Sequence, residues 1–408
     1  MHFSQRAQSI PPFLAMEFGK HAAALEAAGH RVIKLNLGEP DFGAPPAVLA
    51  ELQQVAQHAA LPYTGALGLP ALREAIAGFY QTAHGVQVAP DRIVVTAGAS
   101  AALLLVTAAL VDPGDEVLVG DPSYPCNRQF LSGFGAQVRL VPTTAATRFQ
   151  LDLAALQQHW SPHTKGLLLA TPSNPTGTSV PAAELAAMCE WARRHNAWRI
   201  IDEIYLNLSD ADAQGRPAQT VLASDPNAIV INSFSKYFGM TGWRLGWAVV
   251  PDIMVPVMER LAQNYFICAS TPAQLAALAC FTPESLAVCE ARRAEFAARR
   301  TLVLDSLAQI GLTVPVLPDG AFYVYIDVSH TGLDAMHFCQ RALQEAHVAL
   351  TPGHDFGPFG GATHVRLSYA ASREDLQEGL LRLGRFVAGL KSDHIDTPAP
   401  STLPSERL

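Results

Sequence analysis

Arg199-Ile-Ile-Asp-Glu-Ile-Tyr205 reads as a short apolar strand that ends in acid. Asp202 would emerge at the carboxyl end of that strand, the edge at which open α/β sheets bind ligands. Runs of the same kind recur on both sides, at 93–96, 116–119, 137–141 and 167–170 before it and at 229–231 and 245–250 after it. Helical stretches separate them. The stretch 181–195 has an apolar face of Leu185, Met188, Cys189 and Ala192. This alternation predicts an α/β fold, with a mostly parallel seven-stranded sheet covered by helices on both faces. Past residue 284 the pattern changes. Residues 284–309 predict a long amphipathic helix with Arg292, Arg293, Arg299 and Arg300 on its wet side. Two strand-like runs, 321–328 and 364–369, flank a helix near 334–346 and predict a smaller α+β domain.

Several runs carry chemistry. Ser233-Phe-Ser-Lys-Tyr-Phe-Gly-Met-Thr-Gly-Trp-Arg244 sets a lysine, two hydroxyls, a glycine-bearing turn and an arginine close together. That set suits a phosphorylated aldehyde, because an amine condenses with the carbonyl while hydroxyls and a guanidinium hold phosphate. Ala170-Thr-Pro-Ser-Asn-Pro-Thr-Gly177 turns out of an apolar run, and Asn174 there is either a local cap or a ligand. Asp202 has the same two readings, helix N-cap or ligand. Val94-Val-Thr-Ala-Gly-Ala-Ser100 reads as strand, turn and helix start, and a helix N-terminus offers free N–H groups to an anion. Asp121-Pro-Ser-Tyr-Pro125 is a rigid loop presenting an aromatic. Val365-Arg-Leu-Ser368 places an arginine in an apolar run, which is costly unless the arginine binds something.

With Asn36-Leu-Gly-Glu-Pro-Asp41 and Tyr63-Thr-Gly-Ala-Leu-Gly-Leu-Pro70, these runs stand in the order found in the class I/II aminotransferases. The chain resembles that family, fold type I enzymes that use pyridoxal 5'-phosphate (PLP), from about residue 10 to 390. The resemblance implies roles position by position. Lys236 carries PLP and, once freed, acts as general base at the substrate Cα. Asp202 pairs with the pyridinium nitrogen and keeps the ring an electron sink. Asn174 and Tyr205 bond the phenolic oxygen, and Tyr124 lies flat on the ring. Ala99, Ser100, Ser233, Ser235 and Arg244 hold the phosphate. Tyr63 reaches the phosphate of a neighbouring subunit, which implies a homodimer with shared sites. Arg366 clamps the substrate α-carboxylate with its planar fork. Asn174 also faces the substrate, and Gly38 lets the backbone approach it.

The expected division is an N-terminal segment, 1–40, joining the small domain, then a large PLP-binding domain, 41–285, a small domain, 286–390, and a disordered tail, 391–408. The expected reaction moves an amino group from an L-amino acid to a 2-oxo acid such as 2-oxoglutarate. One aspartate-specific subgroup of the family carries a lysine where this chain has Ser100. An uncharged, apolar or aromatic donor is therefore expected, with Arg128 or a neighbouring subunit as other sources of a cation. Two alternatives share the fold: a lyase performing β-elimination, and an aspartate aminotransferase.

Composition is consistent with this reading. A chain of 408 residues with 49% hydrophobic content is long enough for two domains with large cores. The net charge of −8 with scattered Lys and Arg argues against a nucleic-acid face. Six cysteines show neither a C-x-x-C pair nor metal spacing, so free thiols in a reducing cytoplasm are expected. The first residues are polar and interrupted by Pro11-Pro12, unlike a signal peptide. The longest apolar stretch, 97–111, is shorter than the ~20 residues of a membrane span and reads as a core helix.

Overall fold

The computed structural model describes residues 1–57, 60–212 and 215–395. Its strands in chain order are β1 Ile33–Lys34, β2 Ile93–Thr96, β3 Glu116–Asp121, β4 Gln137–Pro142, β5 Thr164–Ala170, β6 Trp198–Asp202, β7 Ile229–Ser233, β8 Gly246–Val249, β9 Tyr323–Asp327, β10 Val348–Ala349, β11 Thr351–Pro352 and β12 His364–Ser368. Seven of them form one sheet in the order β2-β8-β7-β6-β5-β3-β4. All its neighbours are parallel except those of β8, which runs antiparallel to β2 and β7.

Successive side chains of a strand point to opposite faces, and here both faces are buried. Leu167, Leu169, Ile201 and Val230 join one apolar cluster, while Leu168, Ile200, Ile229 and Ile231 join the other. This explains the continuous Val/Ile/Leu runs, which would alternate with polar residues in a half-wet sheet. The helix Ala99–Leu110 covers the second face through Ala102, Leu103, Leu105 and Val106. The sheet's register brings functional groups into line. Asp202, ending β6, pairs with Ala170 and Ile231, and Gly246, opening β8, pairs with both Thr96 and Ser233.

Two smaller sheets complete the fold. β11, β12 and β9 form an antiparallel sheet, and β1 pairs with β10, joining the start of the chain to its last third. The helices Pro283–Ile310, Ala335–Ala346 and Arg373–Ile395 pack around them. β9 and β12 are slightly shorter than the runs read from the sequence. The tail expected from residue 391 is corrected at its start, because the last helix continues to Ile395; residues 396–408 lie outside the described residues.

The wet face assigned to the helix Pro283–Ile310 also needs correction. Arg299 is buried, bonding both Asp41 oxygens at 2.8 and 3.0 Å, Glu295 at 2.9 Å and the Ala371 carbonyl at 2.6 Å. Arg300 reaches Asp210, Arg292 the Gly43 carbonyl and Arg293 the Ser209 carbonyl. The arginines face a polar seam with the N-terminal and 209–210 loops, where a fully paired guanidinium is tolerated.

Candidate active site

A cavity of about 580 Å³ lies where the strand ends meet β9 and β12. Twelve of the thirteen residues singled out from the sequence line it: Gly38, Ala99, Ser100, Tyr124, Asn174, Asp202, Tyr205, Ser233, Ser235, Lys236, Arg244 and Arg366. The exception, Tyr63, is 78% exposed and does not line this chain's own cavity.

At one end stands a cradle for an anion. The helix Ala99–Leu110 begins after Gly98 with no side-chain cap, so its first N–H groups remain available. Gly98 has φ +84°, and a Cβ there would lie 2.6 Å from an Arg244 guanidinium nitrogen, so glycine lets Arg244 pack onto the helix start. Gly246 serves the same corner: its Cβ would be 2.8 Å from the Ala99 nitrogen. The Ser233 hydroxyl lies 2.9 Å from Ser235 Oγ and 3.2 Å from the Leu245 carbonyl, which fixes both hydroxyls at this corner. Arg244 itself sits at φ +52° and donates to the Thr241 carbonyl at 2.9 Å.

At the centre lie Lys236 and Asp202. The Lys236 amine donates to the Gly38 carbonyl at 2.6 Å. Burial pulls its pKa down to about 8, against the opposing pull of Glu39. An amine in that range has an accessible neutral form for nucleophilic and base chemistry. Burial raises Asp202 to about 6, although the Ile204 N–H donates to it at 3.1 Å and Lys236 lies near. A buried carboxylate so placed favours a cationic N–H partner. The Tyr205 hydroxyl is 2.7 Å from that of Tyr323.

At the other end, Arg366 is 1% exposed. Its Nη1 donates to Asn174 Oδ1 at 2.7 Å, and its Nη2 donates to the Asn36 carbonyl and to Thr351 Oγ1. Nε has no partner among the described residues, and a buried guanidinium with an uncommitted donor is suited to a carboxylate. Asn174 therefore orients the arginine through Oδ1 and keeps its amide N–H groups for a second acceptor.

Two expectations change in detail. Gly38 owes its lack of a side chain to Tyr323, whose hydroxyl would lie 1.7 Å from a Cβ at that position. Arg128 does not line the cavity; it donates to the Asp355 carbonyl at 2.8 Å. Several residues with structural claims on the site were not singled out. Asn36 and Thr351 brace Arg366, and Tyr323 touches Tyr205 and Arg366. Asp355 takes the N–H groups of Leu14 and Ala15 at 2.9 and 3.1 Å, capping the helix Leu14–Ala27. Phe13, Ala15 and Met16, at that helix start, line the cavity. Asn36 lay inside a quoted motif, whereas Asp355 had no local signal, being some 340 residues from what it caps.

Fold and cavity together suit an enzyme that works on a small molecule bearing an amine and a carboxylate. The family model for aminotransferases of class I and II matches residues 30–383. The chain is 40% identical to the valine–pyruvate aminotransferase of Mycobacterium tuberculosis, covering 93% of this chain and 97% of the relative. It is 34% identical to the aspartate/prephenate aminotransferase of Thermus thermophilus, covering 94% and 98%. Among solved structures it superposes on an aminotransferase from Mycobacterium tuberculosis with a TM-score of 0.90 at 39% identity, covering 95% of this chain and all of that one. The chain belongs to the class I and II aminotransferase family, has the fold type I architecture and is an aminotransferase. That family is generally PLP-dependent.

Proposed function

We propose that the protein is a PLP-dependent aminotransferase that takes the amino group of an L-amino acid with an uncharged side chain and passes it to a 2-oxo acid. The observation that carries this reading is the convergence of Lys236, Asp202, Asn174 and Arg366 on one cavity whose remaining wall is largely apolar, including Phe13, Met16, Leu103 and Ile204. The residues fit PLP by the chemistry of their donors. The uncapped helix start, Ser235 and Arg244 would hold its phosphate, Asp202 its ring nitrogen, Asn174 and Tyr205 its ring oxygen, and Tyr124 its face. When bound, PLP supplies the carbonyl that reacts with amines and the ring that accepts electrons.

The chain supplies the rest. Arg366 binds the donor's carboxylate, with its fork oriented by Asn174, Asn36 and Thr351. Lys236 then stands beside the donor Cα and moves its proton as general base and acid. Asp202 holds the proton on the ring nitrogen.

Donor class follows from charge. Beyond Lys236, Arg244 and Arg366, no cation of this chain lines the cavity among the described residues, while Glu39 does, accepting from Thr241 at 2.7 Å. A second carboxylate on the donor would meet Glu39 and no counter-ion. The relative named for valine and pyruvate supports the same choice and favours a short monocarboxylic acceptor, with 2-oxoglutarate the other to test. The exposed Tyr63 supports a homodimer in which it completes the partner's phosphate site. Unpaired cysteines support a cytoplasmic setting, and no helix among the described residues is long and apolar enough to cross a membrane. We take 41–285 as the PLP-binding domain; its end falls in the first turn of the helix Pro283–Ile310, which then bridges to the small domain.

The test is spectroscopic titration of PLP-loaded protein with a donor panel and no oxo acid. Valine-like or aromatic donors should discharge the visible band stably, and an added oxo acid should restore it. Preference for aspartate would refute the donor class. A band that returns unaided while ammonia accumulates would indicate a lyase.

A further inference from the structure

Tyr323, the first residue of β9, stands where three parts of the site meet. Its hydroxyl is 2.7 Å from that of Tyr205, and the two rings meet edge-on at 5.6 Å. The same hydroxyl rests on the bare Cα of Gly38, whose carbonyl accepts from Lys236. The Arg366 guanidinium lies over its ring, 4.6 Å from the centroid. At 1% exposure the side chain has no contact with bulk water.

When two phenols lie at hydrogen-bond distance, the more acidic one donates. Burial raises both pKa values and Arg366 opposes the rise in each, but it is the Tyr323 ring that the guanidinium lies over. Either hydroxyl can donate at this distance; the Arg366 charge set over the Tyr323 ring favours Tyr323 as donor, which leaves the Tyr205 O–H for the cavity. Accepting a hydrogen bond also polarises Tyr205 and makes it a stronger donor.

We propose that Tyr323 is a positioning residue for amino transfer: it fixes the Tyr205 hydroxyl as a donor into the cavity and couples that donor to the charge on Arg366. The proposal rests on the PLP reading above. A carboxylate docking on Arg366 offsets its charge, Tyr323 donates less strongly, and Tyr205 weakens in turn. A hydroxyl given to the PLP ring oxygen draws off charge that otherwise helps the neighbouring nitrogen keep its proton. Weakening Tyr205 therefore moves the pH midpoint of the visible band upward. The other charged and titratable groups facing this region are Glu39, Asp202, Arg244, Arg366, Lys236 and Tyr124, and the test leaves all of them in place.

The experiment is pH titration of the visible band of PLP-loaded wild type and Tyr323→Phe, each with and without 3-methylbutanoate as an unreactive carboxylate. The variant should show a midpoint raised by about half a pH unit or more, the scale of one lost hydrogen bond. It should respond less to the carboxylate and lose kcat several-fold with little change in donor KM. In a Tyr205→Phe background the Tyr323→Phe change should add no further shift, since Tyr323 acts through Tyr205. Tyr325→Phe, on the same strand, should leave the midpoint unmoved. An unshifted midpoint in Tyr323→Phe, an equal increment in the Tyr205→Phe background, or the same shift from Tyr325→Phe would overturn the proposal. Should Tyr323→Phe not fold, Tyr323→Met removes the same hydroxyl and carries the same expectations. A wild type that never develops a visible band with PLP would overturn the PLP reading itself, an outcome separate from a band whose midpoint does not respond.

Discussion

Asp202 shows how a residue can be set against its own stability for a ligand. Its raised folded pKa means that the native state prefers the neutral acid. The stabilising contribution is complete below about pH 4 and is lost as pH rises through about 6. Above that window the ligand-free protein carries a buried ionised carboxylate, offset in part by Lys236. Asp202→Asn should therefore raise the unfolding free energy of the PLP-free protein, read by urea titration at pH 8, by at most about 3 kcal/mol, with a gap that narrows toward pH 5. With PLP added, the order should reverse, because only the carboxylate answers a cationic ring nitrogen. An Asn variant less stable than wild type without PLP at pH 8 would contradict this account. The acid closing an apolar strand was legible in the sequence, while the choice of ligand over helix N-cap for Asp202 came from the resemblance of the surrounding runs to the family. The partnership of Tyr205 with Tyr323 was not legible there, since it depends on how β9 is laid across the cavity.

Elements were read where their pattern is local. The strands of the large sheet announce themselves by buried branched residues, and the helix starts by turns that glycine or proline permits. Faces were harder. Periodicity groups Arg292, Arg299 and Arg300 on related sides of one helix but says nothing of the acids and carbonyls another loop brings opposite them. The start of the helix Leu14–Ala27 is a similar case, lacking a cap of its own and receiving one from Asp355. Asp355→Ala should cost at least ~1 kcal/mol, the usual worth of a helix cap, more if the exposed N–H groups stay dry. Because Phe13, Ala15 and Met16 wall the cavity, donor KM should rise about five-fold or more while the PLP band is kept. Thermal melting and steady-state kinetics check both. A melting loss with an unchanged KM would free the N-terminal segment from any part in donor binding.

The whole molecule carries an exposed aromatic, Tyr63, that stands outside its own cavity. If a second copy uses it, Tyr63→Ala should weaken PLP binding about ten-fold in the dimer, and the wild type should lose activity on dilution below its dimer dissociation constant. Equal PLP affinity in both proteins, measured by fluorescence titration, would remove Tyr63 from the site. The pairing of β1 with β10 has another consequence, in the time at which the enzyme comes into being. The large sheet closes once residue 249 has left the ribosome, but β1 must wait for strands near 348 and Asn36 for Arg366. From sheet closure at 249 to the strand at 348 is about 100 residues, so β1 waits beside the closed sheet on the order of 5–20 s at ordinary synthesis speeds. During that interval the first forty residues hang from an already folded body as an open strand edge, exposed to chaperones and proteases. The nascent chain therefore acquires its scaffold well before it acquires a place to hold a substrate.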